Sequence, residues 1–289
     1  MKIIKEKAFA KINLGLEVLY KRIDGYHEIN TVLTAVNLFD GVTLERSDKL
    51  RLNCVPDIGV KEKDNIAWKA AACFLEAIGA EGDGFTITIE KRIPAGAGLG
   101  GGSSDAAAVL RALARFYPAK ADSQLLYKLA YRLGSDVPFF LYGSRALAKG
   151  RGEILTAAEF DFPYWVVLIY PNLPVSTAWA YGSLMKNTEP KKYKNLVKII
   201  NKGFTDYPYL NSKLKNDFEN TVFKKYPQLK AIKQRLIAGG AFFALLSGSG
   251  STVYGLFDRK ELAVQASRHF GEFTAILCKP FAGASKNSD

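Results

Sequence analysis

The sequence predicts an α+β protein of about two domains at roughly 150 residues each, and three observations carry the prediction. Segments with apolar residues at every second position occur beside segments patterned at helical spacing. Residues 241–279 read strand–loop–strand–helix–strand, the order of a small layered α+β domain. The chain has 289 residues, 48% of them hydrophobic, enough for a substantial core.

Along the chain, residues 10–20 place Ile12, Leu14, Leu16, Val18 and Tyr20 on one face and predict a half-buried strand. Asp24-Gly25 marks a turn, followed by β-rich runs over 28–36, 42–46 and 50–54. Asn65 should cap a helix that runs to about Ile78 and stops at Gly79. Phe85, Ile87 and Ile89 alternate again and feed a glycine-rich segment. A helix is expected from near Ser104, with Ala107, Leu110 and Ala114 at helical spacing. Another starts at Asp122 or Ser123, carries Leu125, Leu126, Leu129 and Leu133, and stops at Gly134. The second half should hold a strand over 164–170, then helices near 177–185, 192–202 and 229–238. Strands over 241–246 and 252–257 flank a Ser/Gly loop, and a helix over 259–270 and a strand over 273–279 follow. The domain boundary is placed near Phe160, giving domains 1–160 and 161–289.

Composition excludes several classes. The longest apolar runs, 164–170 and 241–246, fall far short of the ~18–20 residues of a membrane helix. The start, Met1-Lys2-Ile3-Ile4-Lys5-Glu6-Lys7, is charged and unlike a signal peptide. Cys54, Cys73 and Cys278 are isolated, the pattern of reduced thiols in a cytoplasmic protein. The net charge is +12 and the pI near 9.4, which favours polyanionic partners. The basic residues are mostly dispersed; the densest stretch, 186–202, also holds Asn187, Glu189 and Asn195 and reads as a solvated helical surface.

The most informative stretch is Pro94-Ala95-Gly96-Ala97-Gly98-Leu99-Gly100-Gly101-Gly102-Ser103-Ser104-Asp105. Five glycines in seven positions let an anion approach the backbone. The segment opens a helix, whose first N–H groups are unpaired and whose dipole attracts phosphate. Ser103 and Ser104 add hydroxyls for phosphate oxygens or a magnesium shell. A Walker A loop would need Lys and Ser/Thr after its last glycine, which Ser103-Ser104 does not supply. Gly96, Gly98 and Gly101 form a literal GxGxxG, but Asp122 lies between two helical patterns instead of ending a second strand, against a dinucleotide fold.

Three further constellations stand out. Lys11 and Asn13 share one strand face within Ala10-Lys11-Ile12-Asn13-Leu14, ahead of Asp24-Gly25-Tyr26-His27. A strand lysine is ordinarily a solvated edge residue, and a turn histidine is ordinarily structural. Asp136 stands in Gly134-Ser135-Asp136-Val137-Pro138, where a helix cap or turn residue is the ordinary role. Leu246-Ser247-Gly248-Ser249-Gly250-Ser251-Thr252-Val253 is richer in Gly and Ser than a hairpin needs, which hints at close approach to a ligand.

These segments, in this order, resemble the GHMP kinase superfamily over nearly the whole chain, least so over 186–226. The resemblance implies a ribosomal-S5-like N-terminal domain and a ferredoxin-like C-terminal domain, with ATP and acceptor bound between them. It implies an ATP-dependent small-molecule kinase with Lys11 and Asp136 as the catalytic pair and Mg²⁺ accompanying ATP near Ser103 or Ser104. Pro94 through Ser104 would form the phosphate loop, with Asn65 lining the adenine pocket. The Asp24–His27 segment and the triple glycine are similar to a branch whose acceptor is a cytidine diphosphate-linked methylerythritol, phosphorylated on its 2-hydroxyl in the non-mevalonate route to isoprenoids. Asn13, Tyr26 and His27 would then contact the cytidine diphosphate end, and Thr177 and Tyr181 would add further contacts. Neither nucleic acid nor membrane is expected as a partner, and the expected state is a monomer or weak homodimer. Other acceptors of this superfamily (mevalonate, homoserine or a sugar) are the nearest alternative. RNA binding, suggested by the charge and the S5-like fold, is a remote one that would leave the glycine loop and Asp136 idle.

Overall fold

The structure, a computed structural model, describes residues 2–184 and 192–281. The chain forms two compact units that interleave along the sequence. One holds Met1–Ala10, Leu38–Ala95 and Gly100–Gly143; the other holds Lys11–Asn37, Gly96–Leu99 and Ser144–Asp289. This division differs in kind from a single cut near Phe160, because β1 (Ile3–Lys21), β2 (His27–Ser47) and the glycine segment each contribute to both units.

In the first unit, β3 (Arg51–Val55) runs parallel to β4 (Gly84–Glu90). The end of β2 pairs antiparallel with β4, Gly41 opposite Glu90 and Ser47 opposite Gly84. The helices are α1 (Ile66–Ala77), α2 (Gly101–Phe116), α3 (Ser123–Leu133) and α4 (Val137–Tyr142). Ala67, Ala70 and Ala71 of α1 and Ala106, Ala107 and Ala108 of α2 are fully buried, so small side chains let these two helices approach closely around Phe74, Phe85, Leu110 and Leu113. Each buried Leu or Phe stabilises the unit by roughly 1.5–3 kcal/mol. The expected caps form: Asn65 Oδ1 accepts from Ala67 N at 2.9 Å and Asp122 Oδ1 from Leu125 N at 2.7 Å.

In the second unit, the start of β2 pairs antiparallel with β5 (Arg145–Gly150), which pairs with β6 (Ile154–Ala157). A separate antiparallel sheet is built from β7 (Trp165–Tyr170), β8 (Phe243–Leu246), β9 (Val253–Phe257) and β10 (Thr274–Cys278), in the order β10-β7-β9-β8. With it go α5 (Thr177–Gly182), α6 (Leu196–Gly203), α7 (Tyr207–Lys213), α8 (Glu219–Lys225), α9 (Pro227–Ala238) and α10 (Lys260–Arg268). Phe218, Leu236, Leu246, Phe257 and Phe270 lie in its core.

The α+β expectation is borne out, with four corrections. The runs over 28–36 and 42–46 are one strand, because Asp40 stays inside it, fully buried, with its carboxylate held by the backbone N–H groups of Arg92 and Ile93. Residues 10–20 are not half-buried: Lys11 and Asn13 are 4% and 3% exposed, and Ile12 and Leu14 fully buried. The helix expected near Ser104 begins at Gly101, since Gly100 takes the left-handed conformation (φ +72°) at its start. The short elements α4, β5, β6, α7 and α8 have no counterpart among the predicted elements. Met185 of the helix expected over 177–185, and Lys186, Asn187 and Glu189 of the basic stretch, lie outside the described residues. Among the described residues no helix is long and apolar enough to cross a membrane.

Candidate active site

In the second unit, β1 presents Lys11 with its ammonium buried. Its Nζ donates to Asn13 Oδ1 at 2.8 Å and to the Gly98 carbonyl at 3.0 Å. Asn13 is itself oriented, since its Nδ2 donates to Thr31 Oγ1 (2.9 Å), which donates to Gly15 O (2.6 Å). That relay fixes which end of the Asn13 amide faces the lysine. A solvated edge lysine is thereby excluded: this ammonium is buried and donates to the Asn13 amide oxygen and the Gly98 carbonyl.

The glycine segment of the same unit, Gly96–Leu99, is fastened on both sides. Lys11 N donates to Leu99 O (2.9 Å), Thr252 N to Ala97 O (3.1 Å) and Ser247 Oγ to Gly98 O (3.0 Å). Ala97 and Leu99 are buried, 2% and 1% exposed. Gly98 has φ +78°, and a Cβ there would stand 2.2 Å from Ser247 O and 2.8 Å from Gly250 O. Only glycine lets the two loops lie this close. The Ser/Gly loop over 247–251 therefore packs on the glycine segment; the close approach seen here is to backbone, where the composition hinted at a ligand.

The first unit holds the rest of the segment, Pro94, Ala95 and Gly100–Ser104 among them. Gly101, Gly102, Ser103 and Ser104 form the first turn of α2, the end where backbone N–H groups lack helical partners. Asn65, 8% exposed, caps α1 and donates to Cys54 Sγ at 3.7 Å. Asp136 is half-buried in the turn that leads into α4, and its side chain makes no cap bond there.

Of the other expected residues, His27 and Tyr181 come together as a stacked pair, centroids 5.0 Å apart and planes at 23°. Burial, with the Lys21 charge as second cause, holds the His27 pKa below its ordinary value. Tyr26 stands apart, 53% exposed, with the Arg151 guanidinium 4.4 Å from its ring centre. Thr177 Oγ1 lies 2.9 Å from Ser249 Oγ, which joins α5 to the Ser/Gly loop.

A buried ionic cluster in the first unit was not anticipated. Lys91 Nζ donates to Asp40 Oδ2 (2.5 Å) and Asp105 Oδ2 (2.8 Å), with all three side chains no more than 6% exposed. Asp105 lies in the second turn of α2, and Asp40 also binds the backbone leading into Pro94, so the cluster joins the two ends of the glycine segment's frame in that unit. Burial, opposed by Lys91 and reinforced by Asp40, pushes the Asp105 pKa up to about 7. Burial also works against the Lys91 charge, but the two carboxylates outweigh it and raise its pKa. The Asp in Ser104-Asp105 was the available signal; its partners, distant in sequence, gave none.

Comparison with known proteins finds relatives over nearly the whole chain. Residues 65–144 match the GHMP kinases N terminal domain and residues 196–275 the GHMP kinases C terminal family. The chain is 42% identical over 274 residues to the 4-diphosphocytidyl-2-C-methyl-D-erythritol kinase of Geobacter metallireducens, covering 93% of this chain and 94% of that one. It is 40% identical to the enzyme of that name from Chlorobium phaeobacteroides, covering 97% and 99%. A crystal structure of 4-(cytidine 5'-diphospho)-2C-methyl-D-erythritol kinase superposes with a TM-score of 0.83 at 37% identity, over 98% of this chain and 100% of that one.

Proposed function

Since the chain belongs to the 4-diphosphocytidyl-2-C-methyl-D-erythritol kinase family of GHMP kinases, we propose that it moves the γ-phosphoryl group of ATP to the 2-hydroxyl of 4-diphosphocytidyl-2-C-methyl-D-erythritol, a step of the non-mevalonate route to isoprenoids. The observation that carries the proposal is the buried Lys11 ammonium, held against the carbonyl of a glycine segment that opens a helix.

Phosphoryl transfer asks a protein mainly for positioning and charge stabilisation. The first-turn amides of α2 hold ATP phosphate oxygens, and the Gly-rich backbone lets them approach. Lys11 stabilises charge on the transferring group. Asp136 orients the attacking hydroxyl and accepts its proton as the transfer completes; in a loose transition state the proton leaves late, so placement matters more than basicity. Mg²⁺ would supply positive charge against the phosphates, and the hydroxyls of Ser103 and Ser104, neutral hard oxygens in the first turn of α2, would hold it. Asn65 lines the adenine pocket, and Pro94 through Gly102 form the loop around the phosphates. Asn13 and the His27–Tyr181 pair serve the cytidine end, with Tyr26 and Thr177 at its margin. A protein with two small polyanionic substrates needs no nucleic-acid or membrane partner to explain its +12 charge. The same reading makes it a cytoplasmic monomer or weak homodimer.

The test is ATP consumption by purified protein with Mg²⁺ and 4-diphosphocytidyl-2-C-methyl-D-erythritol, with Lys11→Ala and Asp136→Ala alongside. Wild-type turnover should fall by more than ~100-fold in each variant, in the range general-base removal produces. Turnover in Asp136→Ala within about threefold of wild type, a barrier change of only ~0.7 kcal/mol, would remove its role as base. A folded wild type that turns over mevalonate, homoserine or a sugar instead would replace the acceptor.

A further inference from the structure

The stretch between α7 and α8 gave no functional signal in the sequence, yet it is bonded to both elements that surround Lys11. Residues 215–217 lie alongside β1: Leu16 N donates to Lys215 O at 2.8 Å, and Asp217 N to Leu16 O at 2.9 Å. Val18 N donates to Asp217 Oδ2 at 2.9 Å, and Leu16 and Asn216 form a parallel bridge. From that position the Asn216 side chain, 3% exposed, reaches the other element. Its Nδ2 donates to Leu246 O and to Gly248 O, both at 2.8 Å, while its Oδ1 accepts from Phe218 N at 3.0 Å. Glu219 Oε1 adds a bond from Leu246 N at 3.0 Å.

Gly248 is the residue of the Ser/Gly loop that stands against the lysine. It has φ +56°, and a Cβ there would lie 3.3 Å from Lys11 Nζ, 3.3 Å from Gly98 O and 3.5 Å from Asn13 Oδ1. One side-chain amide thus spans from the chain paired with β1 to the carbonyl of the glycine beside the ammonium. A buried asparagine can serve merely to satisfy two carbonyls. Here one carbonyl is that of Gly248, in the loop that packs on Lys11 and Gly98, and the other that of Leu246, the last residue of β8 before that loop; the backbone on either side of the asparagine is fixed to the strand that carries Lys11. We propose that Asn216 is a positioning residue for phosphoryl transfer: it sets the spacing between β1 and the Ser/Gly loop, and so holds the Lys11 ammonium in place. The inference rests on the function proposed above.

Misplacement of a catalytic group by about 1 Å costs on the order of 100-fold. Steady-state kinetics on the intact protein with ATP and 4-diphosphocytidyl-2-C-methyl-D-erythritol should therefore show kcat of Asn216→Ala reduced by about 10- to 100-fold, with the KM for ATP changed far less. Asn211→Ala is the comparison variant. Its Nδ2 likewise donates to two backbone carbonyls, Tyr207 O (2.8 Å) and Phe242 O (2.9 Å), but neither lies in the Ser/Gly loop. Its kcat should stay at the wild-type value. Asn216→Asp keeps the shape and guards against a misfolded alanine variant. Its carboxylate would face two carbonyls with no proton to donate, and protonation restores one donor. Its kcat relative to wild type should therefore climb as pH falls from 8 to 6. The charged groups around that position are Asp217, Glu219, Lys233 and Lys11, all present in wild type, so the ratio cancels their titration. Wild-type kcat in folded Asn216→Ala, an equal loss in Asn211→Ala, or a flat pH ratio for Asn216→Asp would each overturn the proposal. Absence of turnover in the wild type would instead overturn the function on which it rests.

Discussion

Replacing Gly98 by alanine should destabilise the protein more than the same change at Gly96, although both residues have positive φ, +78° and +65°. Left-handed backbone costs a non-glycine residue about 1–2 kcal/mol, and both variants bear that cost. At position 96 the new methyl would meet only Pro174 Cβ, at an ordinary 3.5 Å. At position 98 it would stand 2.2 Å and 2.8 Å from two carbonyl oxygens, so the Ser/Gly loop must move. That movement strains the bonds from Ser247 Oγ and Lys11 Nζ to Gly98 O and from Thr252 N to Ala97 O. Overpacking of this kind costs about 1–3 kcal/mol, giving a total near 2–5 kcal/mol for Gly98→Ala and 1–2 kcal/mol for Gly96→Ala. Urea unfolding followed by far-ultraviolet circular dichroism measures both against wild type. Equal losses, or a greater loss in Gly96→Ala, would refute the claim that the two loops are packed to contact at Gly98.

Two other perturbations test separate parts of the molecule. Folded Asp105 keeps its proton to about pH 7, whereas the unfolded carboxyl ionises near its ordinary value of 3.8. The folded chain therefore binds more protons in that window, and stability should fall as pH rises through it; Asp105→Asn should flatten the fall in Tm between pH 5 and 8, and an unchanged slope would place the proton elsewhere. Tyr181→Leu removes the ring stacked on His27 and should raise the KM for the cytidine-linked acceptor about 2- to 10-fold, the worth of an aromatic pair at ~0.5–1.5 kcal/mol, while an equal rise in the KM for ATP would detach the pair from the acceptor.

What could be read from the sequence was whatever is local. Asn65 and Asp122 announced their helices because a cap and the amide it binds are two or three residues apart. The glycine segment stood out by composition, and its later residues open α2. The runs over 28–36 and 42–46 read as separate because the partners that keep Asp40 inside one strand, Lys91, Arg92 and Ile93, lie about fifty residues away. Alternation along β1 suggested one wet face, since periodicity cannot tell a polar face turned to water from one buried in its own hydrogen-bond relay. Lys11 and Asn13 are the latter. The pairing of His27 with Tyr181 was similarly invisible, although each residue had been singled out for the acceptor.

The fastening of β1 also bears on how the chain comes to be folded as it is made. The Asn13 carbonyl waits for the hydroxyl of Tyr254, 241 residues later, and the Val18 amide for Asp217, 199 residues later. Leu16 depends on Lys215 for its backbone partner. A ribosome adds roughly 5–20 residues per second, so the strand that holds the lysine spends on the order of ten seconds or more outside the tunnel with apolar residues and amides that have no native partner yet. Contacts this distant along the chain also close slowly. Nascent β1 is the segment on which a holding chaperone would act, and chains arrested before residue 215 should remain sensitive to protease there.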